Sequence, residues 1–177
     1  MATDQVVTTP ADAALAAFLQ SIELAVTDEY DKLAGFLSDT TKPTVAAFQA
    51  HHKEYANALA KQAGTSAVAG PNITLTFILG ARAGSVTDEK GALSMALDVE
   101  NQVAETYAFS LTTLTSVELI HLVATILPVV TGHAAVLGSS IGLTTAALFP
   151  NGALEGTTVG DGSDPKLGYD PASFPIG

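Results

Sequence analysis

The chain has 177 residues, about the size of one domain and long enough to bury a core of its own. Hydrophobic residues make up 47% and charged residues 14%, which excludes disorder for most of the length. Seven Lys and Arg against eighteen Asp and Glu give a net charge of -11, which argues against a nucleic-acid or anionic-membrane surface, and the lack of cysteine excludes disulfides, thiolate metal sites and cysteine nucleophiles.

Residues 1–9 form a lead with no basic stretch and no apolar h-region, so no signal peptide is read there. The cytoplasm, and the cell envelope after removal of an export signal, both stay open. Thr9-Pro10-Ala11-Asp12 supplies a capping hydroxyl, a proline suited to the first helical position and an acid three residues on. It predicts helix A over 10–37. Asp39-Thr40-Thr41-Lys42-Pro43 breaks and restarts the chain, and helix B is predicted over 42–63, stopped by Gly64. A long crossover, 64–86, holds Gly70-Pro71-Asn72 and an apolar run, Ile73–Leu79, expected to form one or two helical turns. Ser85-Val86-Thr87-Asp88 and Thr115-Ser116-Val117-Glu118 repeat the capping pattern and open helices C (87–114) and D (116–141). Short A–B and C–D links with one long B–C link predict an all-α, antiparallel four-helix bundle with a crossover, spanning 10–148.

From Leu119 to Leu154 there is no charged residue. A membrane span is not expected, because His121, Pro128, Thr131, Gly132, His133 and Ser139-Ser140 interrupt the run and no basic residue flanks it. The expectation is a helix buried on most sides, in the bundle or at a subunit contact. Residues 149–177 shift to six Gly and four Pro among 150–177, and are read as a tail or an extended arm anchored by Phe149, Tyr169, Phe174 and Ile176.

Core faces follow from spacing. Leu19, Glu23, Val26, Tyr30, Leu33 and Leu37 recur at helical steps, and Ala96, Glu100, Val103, Tyr107, Ser110 and Leu114 repeat the same steps. Val45, Phe48, His52, Tyr55, Leu59 and Gly64 align with Val123, Ile126, Val130, His133, Leu137 and Gly142. The two hairpins thus read as copies of one unit.

Polar residues on these apolar seams carry the chemistry. Glu23 and Glu100 stand where Leu or Val is expected, and a buried carboxylate must be paired, protonated or bound to a cation. His52 and His133 face inward at the same depth. Two carboxylates and two imidazoles there could hold one divalent ion of Fe, Mn or Zn. Equally, they could form a hydrogen-bonded network with no ion, closed by Tyr30 and Tyr107, with Tyr55 as a further neighbour. His51 lies about 100° around the helix from His52 and is expected at a flank or in solvent. Asp28, Glu29, Asp31, Glu54 and Glu105 read as solvated surface, and His121 as an end-layer or surface residue. Pro128 frees the Ala124 carbonyl and is expected to bend helix D. Gly80–Gly84 lacks the context of a phosphate loop, and Gly160–Asp164 lacks the ligand spacing of a calcium loop.

The segments Ser21-Ile22-Glu23-Leu24 with Tyr30, His51-His52-Lys53-Glu54-Tyr55-Ala56, Val99-Glu100-Asn101 with Tyr107, and Gly132-His133-Ala134-Ala135-Val136-Leu137 carry a resemblance. Over about 10–142 the chain resembles the ferritin-like domain family, of the bacterial type that includes desiccation-related plant relatives. The resemblance implies a metal centre with a Glu from the first helix and Glu-x-x-His from the second helix of each half. Glu23 and Glu100 match the first-helix positions, and His133 matches one histidine. His52 and Val130 stand where the motif has Glu, and Tyr55 where it has His. A di-iron centre and ferroxidase chemistry are therefore not expected to survive intact.

The expected function is a non-catalytic bundle with a structural or assembly role, forming a homo-oligomer. The alternative is a metal-binding oxidoreductase or storage protein using Glu23, His52, Glu100 and His133. A third reading is a binder of a small apolar ligand in space opened by Pro128.

Overall fold

The computed structural model describes residues 9–148, 159–160 and 168–176. Helix α1 spans Pro10–Leu33, and the Thr9 hydroxyl oxygen accepts the Asp12 amide at 3.1 Å. A single 3-10 turn, Ala34–Phe36, follows it. Helix α2 spans Lys42–Ala63 and ends at Gly64, whose φ of 57° is a left-handed value that glycine adopts without strain. The crossover holds a full helix, α3 (Ile73–Ala83), rather than the one or two turns expected. The Asn72 side chain accepts the Leu75 amide at 3.0 Å, which gives α3 the cap that its apolar sequence obscured. Helix α4 (Glu89–Thr113) is capped by Asp88, and α5 (Val117–Ser140) by Ser116. A one-turn helix, α6 (Thr145–Leu148), follows α5.

Helix α1 packs mainly on α2, and α4 mainly on α5; the two hairpins meet through α1–α4 and α2–α5 contacts. This is an all-α antiparallel bundle with a long crossover between α2 and α4. The apolar seams predicted from spacing line its core, from Leu19 and Val26 on α1 to Val103 on α4 and Val130 and Leu137 on α5. Asp12 ties the ends of the two hairpins together. It accepts the Thr115 hydroxyl at 2.7 Å and the Thr115 and Ser116 amides at 3.1 and 2.8 Å, at the start of α5.

One expectation about burial is corrected. Helix α1, not α5, is the one wrapped on most sides, because α2, α3 and α4 all pack on it. Helix α5 is long and apolar enough to cross a membrane by length and composition, yet only 33% of its most apolar window is buried. It lines the core with one face and exposes the other. The helix continues through Pro128 without a break.

Of the C-terminal region, Phe149 and residues 161–167 lie outside the described residues, and with them most of the calcium-loop candidate. Residues 168–176 lie on the bundle. The Tyr169 amide donates to Thr106 Oγ1 at 2.8 Å, its hydroxyl reaches Gln102 Oε1 at 3.2 Å, and its ring meets Phe174 edge-on at 5.3 Å. Gly168 is required there, since a Cβ would stand 2.6 Å from the Thr106 nitrogen. Gly168-Tyr169 also pairs in parallel with Val159-Gly160 as a two-residue bridge.

Candidate metal centre

Each of the four long helices delivers one polar side chain to the same depth of the core: Glu23 from α1, His52 from α2, Glu100 from α4 and His133 from α5. Glu23, His52 and Glu100 are fully buried, and His133 is 3% exposed. His52 stands between the two acids, with Nδ1 2.5 Å from Glu23 Oε2 and Nε2 3.0 Å from Glu100 Oε1. The tyrosines complete the arrangement crosswise. The Tyr30 hydroxyl of α1 donates to Glu100, and the Tyr107 hydroxyl of α4 donates to Glu23. The exchange is the direct product of the duplicated Glu-plus-Tyr spacing, in which each tyrosine lies seven residues, about two helical turns, beyond its own helix's acid.

The charges follow from this packing. Burial alone would push the His52 pKa down, but the Glu100 and Glu23 carboxylates hold it up at about 10. Burial would raise Glu100, but the His52 charge, with His133 beside it, holds its carboxyl at about 2. Burial, together with the acids they serve, raises both Tyr30 and Tyr107 well above the ordinary tyrosine value, so each stays a donor. Tyr55, half-buried at the edge, is pushed up to about 12, chiefly by burial and then by Glu23 and Glu100.

His133 is placed differently. Phe48 stacks on its ring at a centroid distance of 4.0 Å. Its Nδ1 lies 3.3 Å from Glu100 Oε1 but without the alignment of a hydrogen bond, so it has no hydrogen-bond partner. Glu100 Oε2 is likewise buried and without a partner. Two lone buried polar atoms on neighbouring side chains are costly unless something charged can sit between them. Ligand atoms of His52, Glu100 and His133 all lie within 4.8 Å of one another, so these three residues could hold a metal ion. Their two-imidazole, one-carboxylate chemistry suits a divalent transition ion. Glu23 stands behind His52 rather than within this group.

One surface assignment made from spacing does not hold, and His51 takes the flank placement of the two expected for it. His51 is half-buried, with Nδ1 2.9 Å from His133 Nε2 and its ring stacked on the His133 ring at 5.2 Å. The offset that takes it off the bundle axis turns it toward α5. Glu29 is 1% exposed, paired with Lys32 at 3.0 Å beneath the crossover. Asp28, Asp31, Glu54 and His121 are exposed, as expected, whereas Glu105 is half-buried.

The family model of the ferritin-like domain matches residues 10–143, which is most of the chain. The chain belongs to the ferritin-like domain family. No curated protein and no solved structure matches it. Against the pattern of metal-active ferritin-like bundles, the departures cluster on the second helix of each half. His52 replaces the acid of one Glu-x-x-His motif and Val130 the acid of the other, and Tyr55 replaces a histidine. Both positions from which a carboxylate could bridge two ions are thereby lost. What the second half keeps of the centre is Glu100 and His133, without the acid of its motif, and the His52 imidazole is turned toward them.

Proposed function

We propose that this ferritin-like bundle holds a single divalent transition-metal ion between His52 Nε2, Glu100 and His133 Nδ1, in a structural rather than a catalytic role. The observation that carries the reading is the pair of buried, unpartnered atoms, Glu100 Oε2 and His133 Nδ1, beside the His52 imidazole. Glu23 accepts a hydrogen bond from His52 Nδ1–H and so leaves Nε2 as the nitrogen available to an ion, a carboxylate–imidazole arrangement familiar behind metal ligands. Tyr30 and Tyr107 hold the two carboxylates in place. An ion there would supply the positive charge that neutralises Glu100 and would tie α2, α4 and α5 together. The burial of Glu23, His52 and Glu100 supports a role in stability over one that needs a substrate to enter.

The competing reading, a centre without metal, rests on His52 itself. As an imidazolium bridging two carboxylates it neutralises the core from within. Elemental analysis of the purified full chain, reconstituted in turn with Fe(II), Mn(II) and Zn(II), separates the two. One ion per chain, lost in Glu100→Ala and in His133→Ala, is the expected result. No ion after reconstitution, or two ions per chain, overturns it.

The assembly side of the role rests on α5. Its outward face, including Ala124, Pro128, Val129, Gly132 and Val136, is exposed and beyond Glu118 in the first turn carries no Asp, Glu, Lys or Arg, in a chain of net charge -11. Like-charge repulsion disfavours contact between copies elsewhere and is absent along this face. A second copy of the chain is its proposed partner.

A further inference from the structure

A second group of polar side chains gathers where the crossover meets α4. A cleft of about 370 Å³ opens there between the end of α3, the turn at 84–88 and the first part of α4. Its wall carries Arg82, the sole arginine of the chain. The guanidinium is braced from behind. Nη1 donates to Oε1 of the fully buried Gln102 at 3.1 Å, and Nη2 donates to Asp98 Oδ2 at 2.9 Å. The Tyr169 hydroxyl donates to the same Gln102 oxygen at 3.2 Å, so the docked C-terminal segment backs the brace. These bonds use two of the five guanidinium donors and one of the two carboxylate oxygens. The side chains of Arg82 and Asp98 are 28% and 41% exposed, so both charged groups meet the cleft with hydrogen-bonding capacity unspent. Asp98 lies two residues before Glu100, about 200° around the helix, which sets it away from the core centre. Thr87 and Ser94 add hydroxyls to the lining, and Val86 and Met95 add an apolar wall.

These groups select a ligand by charge. A simple anion drawn to Arg82 also meets Asp98 and a chain of net charge -11, and a simple cation drawn to Asp98 also meets Arg82. A sugar would find hydroxyls but no aromatic ring among the lining residues to stack on. An α-amino acid carries a carboxylate and an ammonium on one carbon. Set against the Arg82–Asp98 pair in opposite order, both of its charges are met at once by charge-assisted hydrogen bonds. We propose that this cleft binds a free α-amino acid with an apolar side chain: its carboxylate on Arg82, its ammonium on Asp98 and its side chain against Val86 and Met95. The volume, near the lower end of the range for small-molecule sites, suits one such molecule. The site stands whether or not the core holds an ion.

The test is an NMR titration of the nitrogen-15-labelled full chain, in which the ligand is varied before the protein. L-Leucine is expected to shift the amide signals of Thr87 and Ser94 and the Nε signal of Arg82, with half-saturation at about 1 mM or below. N-acetyl-L-leucine, which lacks the ammonium, and L-leucinamide, which lacks the carboxylate, are expected to bind about tenfold more weakly or worse. D-Glucose is expected to shift none of these signals. In Asp98→Asn the preference for leucine over N-acetyl-leucine is expected to disappear. Ser94→Phe fills the cleft from a half-buried position and leaves the Arg82–Asp98 pair in place; it is expected to abolish binding with helical content unchanged. The proposal is overturned by an absence of shifts up to about 10 mM leucine, or by either analogue binding as tightly as leucine. Saturable binding of glucose, a preference that persists in Asp98→Asn, or unchanged affinity in Ser94→Phe overturns it equally.

Discussion

His52 stands fully buried on the apolar seam of α2, and yet it is the pivot of the core. Its ring reaches both Glu23 and Glu100. Removing one member of a buried charge set leaves the others uncompensated, at a cost of about 3–5 kcal/mol. His52→Leu is therefore expected to lose about that much stability in urea unfolding near neutral pH. The double replacement of both acids by Gln in the His52→Leu background should recover part of it, since no charge is then left unpaired. A single His52→Leu variant with the wild-type urea midpoint would show that the network contributes nothing. Both acids and both imidazoles were legible in the sequence because each breaks an apolar seam at helical spacing. For His51 the spacing allowed flank or solvent. In a four-helix bundle each helix faces two neighbours, so the buried arc is wide and 100° of rotation points at the next helix instead of at solvent. Glu29 was missed. It is covered by the crossover, whose path no periodicity encodes; a Cβ on Gly80 of α3 would lie 3.5 Å from Lys32 Nζ, the partner of Glu29.

The helices themselves were set largely by their ends. Thr9, Asp88 and Ser116 each cap the helix that follows, and the glycine after α2 stops it. Helix α3 shows where that reasoning stops short. Its cap is Asn72, whose amide nitrogen also donates to the Phe174 carbonyl at 2.9 Å, so one residue starts α3 and docks the C-terminal segment. Asp12 plays the comparable part at the other junction, joining α1 to the start of α5. Its pKa is lowered: burial raises it, and the Thr115 hydroxyl and the amides of Thr115 and Ser116 together outweigh burial. A carboxyl lowered on folding stabilises the protein above its ordinary value of 3.8, and that contribution is lost as pH falls through the folded value. Asp12→Asn is expected to cost about 1–2 kcal/mol at neutral pH, from the weakened hydrogen bonds to the α5 terminus. The difference from wild type should shrink as the pH is taken below that range. Thermal unfolding of both proteins across acid pH tests this; a gap that is constant or widens with acid would mean that the carboxylate charge is not the source.

The distribution of charge over the whole molecule has a consequence for assembly. All the charged residues of the bundle precede Leu119, and α5 carries only Glu118 at its first turn. The exposed half of this helix is therefore a neutral strip on an acidic body. Its small residues, Ala124, Pro128 and Gly132, recur every four positions, and a Cβ on Gly132 would meet nothing within 4 Å. A second α5 can approach closely along such a strip, and the apolar Val129 and Val136 beside it would be covered. Association should accordingly depend on keeping the strip uncharged and low. Gly132→Glu adds a carboxylate on each copy where the two helices would be nearest, at an open position that the fold of one chain does not use. Light scattering is expected to show a dimer or larger assembly for the wild type and a monomer for Gly132→Glu, with unchanged helical content. Raised salt should restore some association in the variant by screening the new charges. A wild-type chain that is monomeric at all concentrations removes the case for α5 as a contact between copies. Uptake of that monomer onto neutral lipid vesicles, blocked by the same substitution, would instead assign the strip to a membrane surface.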